Sequence, residues 1–215
     1  MTTRPRVAVV DYGAGNLVSI EQALTTVGAD VALVRDSEAI RGADALVGPG
    51  VGAAEPAMAR LGSRGLTEPI RAWLAAERPF LGICLGLQLL FDGSDEDGAT
   101  TLGVLPGRTV GLDGAPTLPH IGWNQVERRR EHPALTGIAD GADLYFVHSY
   151  VGQPSGGLDD PAVLATTTHG RPFVSAVARG RLVGVQFHPE RSGVDGLRFL
   201  RNVVGLVAAA RPVAA

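Results

Sequence analysis

The chain has 215 residues, 45% of them hydrophobic, and a formal net charge of −3, so one large domain or at most two small ones is expected, burying roughly 70% of the extended-chain surface. All 19 basic residues are Arg and none is Lys, which excludes a lysine Schiff base and a Walker phosphate loop. A single cysteine, Cys84, excludes an internal disulfide and a multi-thiolate metal site, and the lone basic run Arg128-Arg129-Arg130 argues against nucleic acid as a partner.

Near the amino terminus only four apolar residues, Val7 to Val10, precede Asp11, short of the 7–15 or so that a secretory signal needs. No stretch approaches the ~20 apolar residues of a membrane span, and a soluble, cytoplasmic protein is expected. Val7–Val10 reads as a buried strand, ended by Asp11-Tyr-Gly-Ala-Gly-Asn16. Asn16 then suits a helix N-cap; Leu17, Ile20, Leu24 and Val27 share one helical face, and Gly28 closes it. Val31–Val34 and Ala43–Val47 are the second and third strands. After the loop Gly48-Pro-Gly-Val-Gly52, helical pattern covers Ala54–Leu61 and Pro69–Ala76. Phe80–Cys84 is a fourth strand, followed by a short helix over Leu85–Phe91. Four such alternations imply a parallel sheet with helices on both faces.

From about Gly103 strands follow one another through turns. They are Gly107–Leu112, Leu144–Tyr150, Ala162–Thr168, Phe173–Arg179 and Leu182–Phe187, with a tight hairpin at Arg179-Gly-Arg181 and a last helix over Leu197–Ala210. Asp92–Thr101 is a polar loop able to cover a site. The expected architecture is a single α/β domain over residues 1–215, with its core at about 6–210 and a mixed, mostly parallel sheet. The strand order stays open.

Cys84 stands at a strand-to-helix turn with Gly82 and Gly86 two residues to either side. This is the layout of a nucleophile elbow, with Cys in place of Ser, and it would project the thiol at the carboxyl end of the sheet. A helix N-terminus there favours a thiolate and a developing oxyanion. A buried structural cysteine fits the same residues. His188, in Gly184-Val-Gln-Phe-His188-Pro-Glu190, follows an apolar strand, and Glu190 would share its face if the chain stayed extended. A carboxylate there would orient the imidazole as a base; a solvated His beside a surface Glu is the plainer alternative. His132 and His169 fall in turns, and His120 and His148 lie in extended segments without a nearby acid.

Together, Gly-Ile-Cys84-Leu-Gly-Leu-Gln and, roughly a hundred residues later, Gln-Phe-His188-Pro-Glu resemble the class I, triad-type glutamine amidotransferases. Five more segments resemble the glutaminase subunits of imidazole glycerol phosphate synthases: Asp11-Tyr-Gly-Ala-Gly-Asn16, Pro49-Gly-Val-Gly52, Pro119-His-Ile-Gly-Trp-Asn124, Tyr145-Phe-Val-His-Ser-Tyr150 and Glu190-Arg-Ser-Gly193. The resemblance runs from about residue 7 to 205 and implies a single, flavodoxin-like class I glutamine amidotransferase domain. It implies that Cys84 attacks the carboxamide of L-glutamine, His188 shuttles the proton and Glu190 orients His188, giving a γ-glutamyl thioester, then glutamate and ammonia. The amides of Val51 and Leu85 would form the oxyanion hole, with Gly50 and Gly52 letting the backbone come close. Gln88, Glu96 and the backbone of Ser149 and Tyr150 would hold the substrate.

No cofactor or metal is implied. The implied partner is a cyclase subunit, a (β/α)8 barrel in a heterodimer, which would use the ammonia for imidazole glycerol phosphate formation in histidine biosynthesis. It would meet Asn16, Trp123, Asn124 and Arg191, although Trp123 also reads as an interior anchor. Arg191 replaces the family's usual Lys, in keeping with a chain that has no Lys. Ala53-Ala-Glu-Pro and Val151 also depart from the family's more aromatic versions. A glutaminase serving anthranilate or pyridoxal phosphate synthesis, or a catalytically idle binding module, are the competing readings.

Overall fold

In the computed structural model, which describes residues 4–210, the first strand, β1 (Arg6–Val10), is buried on both faces. Val7 and Val9 enter one apolar cluster and Ala8 and Val10 another, so the period-two alternation of the strand divides the core into two layers. Helix α1 (Leu17–Thr26) starts where the Asn16 side chain accepts from the Ser19 amide at 3.3 Å, and Gly28 follows it at φ +100°. The alternation continues through β2 (Asp30–Val34), α2 (Ser37–Arg41), β3 (Ala45–Gly48), α3 (Ala54–Ser63), α4 (Thr67–Ala75), β4 (Phe80–Ile83) and α5 (Leu85–Gln88). Then come β5 (Gly93–Ser94), β6 (Gly107–Gly111), β7 (His120–Arg128), β8 (Ala142–His148), β9 (Tyr150–Pro154), β10 (Val163–His169), β11 (Arg171–Arg179), β12 (Leu182–Val185) and α6 (Gly193–Ala209).

The main sheet has the order β2-β1-β3-β4-β12-β11-β10-β7-β8, and β5-β6-β9 forms a small second sheet. From β2 to β12 neighbouring strands are parallel; from β12 to β8 they are antiparallel. Ile20, Leu24, Phe199 and Leu200 of α1 and α6 cover one face, while Leu61, Ile70 and Trp73 of α3 and α4 cover the other. The α/β class and the covering of both faces are as the sequence predicts. The open strand order is decided by β12, which returns through the hairpin at Gly180 to lie parallel to β4, with Ile83 opposite Val185.

Several boundaries move. The predicted helix over Leu85–Phe91 is one turn, α5. The predicted strand Leu144–Tyr150 is divided: β8 ends at His148 and Tyr150 opens β9 in the other sheet. Helix α6 begins at Gly193, four residues before its apolar periodicity starts, because Val194 is exposed. Strand β7 was not among the predicted strands, since its apolar Ile121 and Trp123 face outward and leave no inward alternation to read.

Helix α5 lies against the strands without room for a side chain. A Cβ on Gly86 would stand 1.7 Å from the Gly48 carbonyl oxygen, and one on Gly82 would stand 2.7 Å from that of Gly86. Both obstacles are backbone, so no rotamer relieves them. Gly86→Ala is therefore expected to destabilise the fold by about 3 kcal/mol or more, the upper end for overpacking. Gly205→Ala, in α6 with open space around it, should stabilise by roughly 0.5–1 kcal/mol. Urea unfolding of the two variants checks the contrast.

Candidate active site

Cys84 sits between β4 and α5 at φ 54°, ψ −110°, a backbone conformation that costs a non-glycine residue of order 1–3 kcal/mol. Its amide donates to Val185 O at 2.8 Å, and the carbonyl accepts from the Leu87 and Gln88 amides as the chain reverses into the helix. The turn aims the buried thiol into a cavity of about 270 Å³. Val51, Gly52, Gln88, Glu96, Ser149 and Tyr150 line the same cavity. Gly50 and Leu85 stand behind it: a Cβ on Gly50 would meet the Tyr12 hydroxyl at 2.3 Å and Leu85 Cβ at 2.9 Å. Tyr12 donates to Pro49 O at 2.7 Å and pins the Pro49–Gly52 loop; burial pushes the hydroxyl's pKa up, which keeps it a donor.

His188 leaves β12 beside Cys84, and its Nδ1 lies 2.8 Å from Glu190 Oε1, both side chains being buried. The expectation that an extended chain puts the two on one face is corrected here. The strand ends at Val185, and residues 189–191 make a single 3-10 turn. Ser192, to which no local pattern assigns a role, holds that turn by donating to His188 O at 2.7 Å and accepting from the Tyr145 amide at 2.9 Å. Burial disfavours a charged imidazole, but the Cys84 sulfur and the Glu190 carboxylate outweigh it and lift His188 from 6.5 to about 10. Among the described residues His188 Nε2 has no aligned hydrogen bond, which leaves it able to exchange a proton with Cys84 or a substrate.

Glu96 is exposed at the cavity's mouth, yet partial desolvation by the cavity wall, with the Asp97 charge beside it, pushes its carboxyl up. The Tyr150 carbonyl already accepts from Gln88 Nε2 at 2.8 Å and lies 3.1 Å from His148 Nδ1, while Ser149 O accepts from the Leu112 amide. Both carbonyls are thus engaged within the chain.

Four further residues were expected on a partner surface. Trp123 is 56% exposed, which disposes of the interior-anchor alternative. It meets the edge of Tyr145, over whose ring Arg191 lays its guanidinium at 4.3 Å. Asn16 is exposed beside its cap. Asn124 instead turns its amide inward, donating to Thr168 O at 3.0 Å and standing 3.1 Å from His120 Nε2.

His120 and His148, without an acid nearby, form a buried pair with Nδ1 of the first 3.1 Å from Nε2 of the second; His169 stacks on His120 at 4.0 Å. Burial, reinforced by the facing histidines (His169 on His120; His120, His169 and His188 on His148), lowers His120 to about 4 and His148 to about 3, though the Tyr150 carbonyl partly opposes this at His148. An unfolded His titrates near 6.5, so between that pH and about 4 the unfolded chain binds more protons and stability falls as the pH falls. Each such group contributes a slope of up to roughly 1.4 kcal/mol per pH unit. His148→Gln should flatten the wild-type loss of stability over this window, as read from urea unfolding at several pH values.

The model of the family described as glutamine amidotransferase class-I matches residues 8–205. An imidazole glycerol phosphate synthase subunit HisH from Synechococcus sp. (strain JA-2-3B'a(2-13)) is 46% identical, the match covering 98% of this chain and 97% of that one. The subunit of the same name from Symbiobacterium thermophilum is 48% identical over 92% of each chain. In fold the molecule is similar to PurLQS from Thermotoga maritima (TM-score 0.72, 18% identity, 94% of this chain and 99% of that one) and to the glutaminase domain of Trypanosoma brucei CTPS (TM-score 0.69, 18% identity, 98% and 96%). With a cysteine on a strand-to-helix elbow, a buried His–Glu pair in the turn that follows the adjacent strand and a family match along almost its whole length, the chain belongs to the class-I glutamine amidotransferases.

Proposed function

We propose that the chain hydrolyses L-glutamine to glutamate and ammonia as the glutaminase subunit of an imidazole glycerol phosphate synthase, in histidine biosynthesis. The observation that carries the reading is the placement of Cys84 beside the buried His188–Glu190 pair, at a cavity lined by the residues expected to hold substrate. Cys84 attacks the carboxamide carbon as a thiolate while the amides of Leu85 and Val51 receive the charge on oxygen. The His188 imidazolium then protonates the departing nitrogen, leaving a γ-glutamyl thioester and neutral ammonia. In the second half, His188 takes a proton from water as the water attacks the thioester carbon; the C–S bond breaks, which regenerates the Cys84 thiolate and releases glutamate. Glu190 keeps Nδ1 protonated throughout and the other ring nitrogen in service. Gln88 has committed its Nε2 inside the protein, so its Oε1 is the atom offered to a donor on the substrate. Glu96 supplies a carboxylate for the α-amino group.

Ammonia released to water is mostly protonated and no longer a nucleophile, which calls for an acceptor site on a second chain. The proposal therefore includes a heterodimer with a (β/α)8 cyclase subunit, docked over Trp123, Asn16 and the Arg191–Tyr145 stack and taking up ammonia directly. Ile121, also exposed beside Trp123 on β7, extends the same apolar surface. Among the described residues no helix is long and apolar enough to cross a membrane; a cytoplasmic setting is part of the proposal.

Cys84→Ala should abolish glutamine turnover while the complex still makes product from added ammonium; surviving glutaminase activity would refute the nucleophile assignment. His188→Ala removes proton transfer, worth about 10²–10⁴ in rate. Glu190→Gln should lose less, because the amide oxygen still accepts from Nδ1. Steady-state glutamine turnover ranks the variants. The chain alone should turn glutamine over slowly and accelerate with the cyclase and its nucleotide ligand by about 10²–10³, the worth of one aligned oxyanion donor. Full turnover without the partner would point to a free-standing glutaminase.

A further inference from the structure

The mechanism leaves Gln186 without a task, although it is fully buried and touches the reacting sulfur. Its orientation follows from one atom that can only accept, the carbonyl oxygen of Tyr150. Gln88 Nε2 lies 2.8 Å from that oxygen and must be the donor, so the same nitrogen gives its second proton to Gln186, 3.1 Å away. Gln186 must therefore present Oε1 to Gln88. Its Nε2 then points at Cys84 Sγ, 3.5 Å away.

The other side of the carbonyl is equally determined. His148 Nδ1, at 3.1 Å from Tyr150 O, carries the proton, so neutral His148 offers its Nε2 as an acceptor to His120 Nδ1. His120 Nε2 in turn accepts from Asn124 Nδ2. No amide flip or tautomer in the chain from Asn124 to Cys84 is left to choice.

We propose that Gln186 is a positioning residue for the nucleophile, an N–H donor that favours the anionic sulfur of Cys84 and fixes its direction, held in that role by the network centred on Tyr150 O. The inference rests on the reading of Cys84 as the nucleophile. Two neighbours compete for the sulfur. Val147 O, 3.8 Å away, suits the thiol, whose proton it can accept. The Gln186 amide suits the thiolate, since a neutral sulfur is a weak acceptor and an ionised one a strong acceptor. A buried primary amide left with a poor acceptor is costly, so the amide and the anion reinforce each other. His188, the other group acting on the sulfur, supplies the proton; Gln186 has no proton to exchange and contributes only direction and charge stabilisation.

Cys84 is the only cysteine, so alkylation by iodoacetamide reports on this sulfur alone and needs neither glutamine nor partner. Gln186→Met keeps the volume and removes both polar ends, and so tests loss of the donor alone at the sulfur; Gln186→Glu keeps an acceptor for Gln88 and replaces the donor by a carboxylate oxygen, whose charge also opposes the thiolate. Each should slow alkylation of the full chain at neutral pH and lower kcat of the complex by about ten- to a hundredfold, the worth of one hydrogen bond to a charged acceptor, with KM for glutamine changed far less in Gln186→Glu. A folded variant that keeps the wild-type alkylation rate and kcat overturns the proposal. Should both variants fail to fold, wild-type chain labelled with 15N-glutamine carries the test. The Gln186 side-chain amide resonances should move when Cys84 is alkylated, and unmoved resonances overturn the proposal. If instead Cys84→Ala retains glutamine turnover, the nucleophile reading itself fails.

Discussion

The Cys84 amide donates to Val185 O at 2.8 Å, at the point where β4 and β12 stop running side by side. This parallel register is what makes a site out of two segments that lie roughly a hundred residues apart in the chain. A parallel pair sends both strands out of the sheet at the same end, so whatever follows Ile83 must meet whatever follows Val185. Antiparallel pairing here would put Cys84 and His188 at opposite ends of the sheet. The hairpin at Gly180 matters for the same reason: it turns β11 back so that β12 enters the parallel half of the sheet.

Around that register the site is built by exclusion of volume. Gly82 and Gly86 let helix and strand backbones touch, Gly48 leaves room for the Phe80 ring, and Gly50 lets the following loop close on Tyr12 and Leu85. Cys84 absorbs the sharp reversal in its own backbone. Glu190 Oε2 is buried without a hydrogen-bond partner among the described residues, and His188 Nε2 has no aligned one beside the Cys84 sulfur, a cost that packing elsewhere must offset.

Much of this was legible in the residues. The strand runs of the first half, the Asn16 cap and the elbow glycines all carry local signals, and each has its counterpart in the structure; the His188–Glu190 contact is present too, but a 3-10 turn makes it and not the extended spacing that suggested it. What escaped depends on tertiary partners. Ser192 looks like any serine until the Tyr145 amide arrives from β8. Gln186 occupies an apolar strand end, where its polarity was a clue, but its partners come from α5 and the elbow. Strand β7 carries Ile121 and Trp123 on the outer face and only Val126 of its large apolar residues inward, so alternation pointed away from the core. Asn124 turns inward because His120 and the Thr168 carbonyl offer it acceptors that spacing could not reveal.

The chain's two tryptophans are placed in opposite surroundings. Trp73 is buried in α4, with its indole N–H donating to Pro79 O at 3.0 Å and the Arg78 guanidinium stacked 3.4 Å from the ring centre. Trp123 stands largely in water on β7, touching Tyr145 at its edge. Emission from an indole follows the polarity around it, so this molecule carries two separable optical reporters. The blue-shifted one follows the integrity of the helical layer, and the red-shifted one follows whatever comes to cover the outer face of β7.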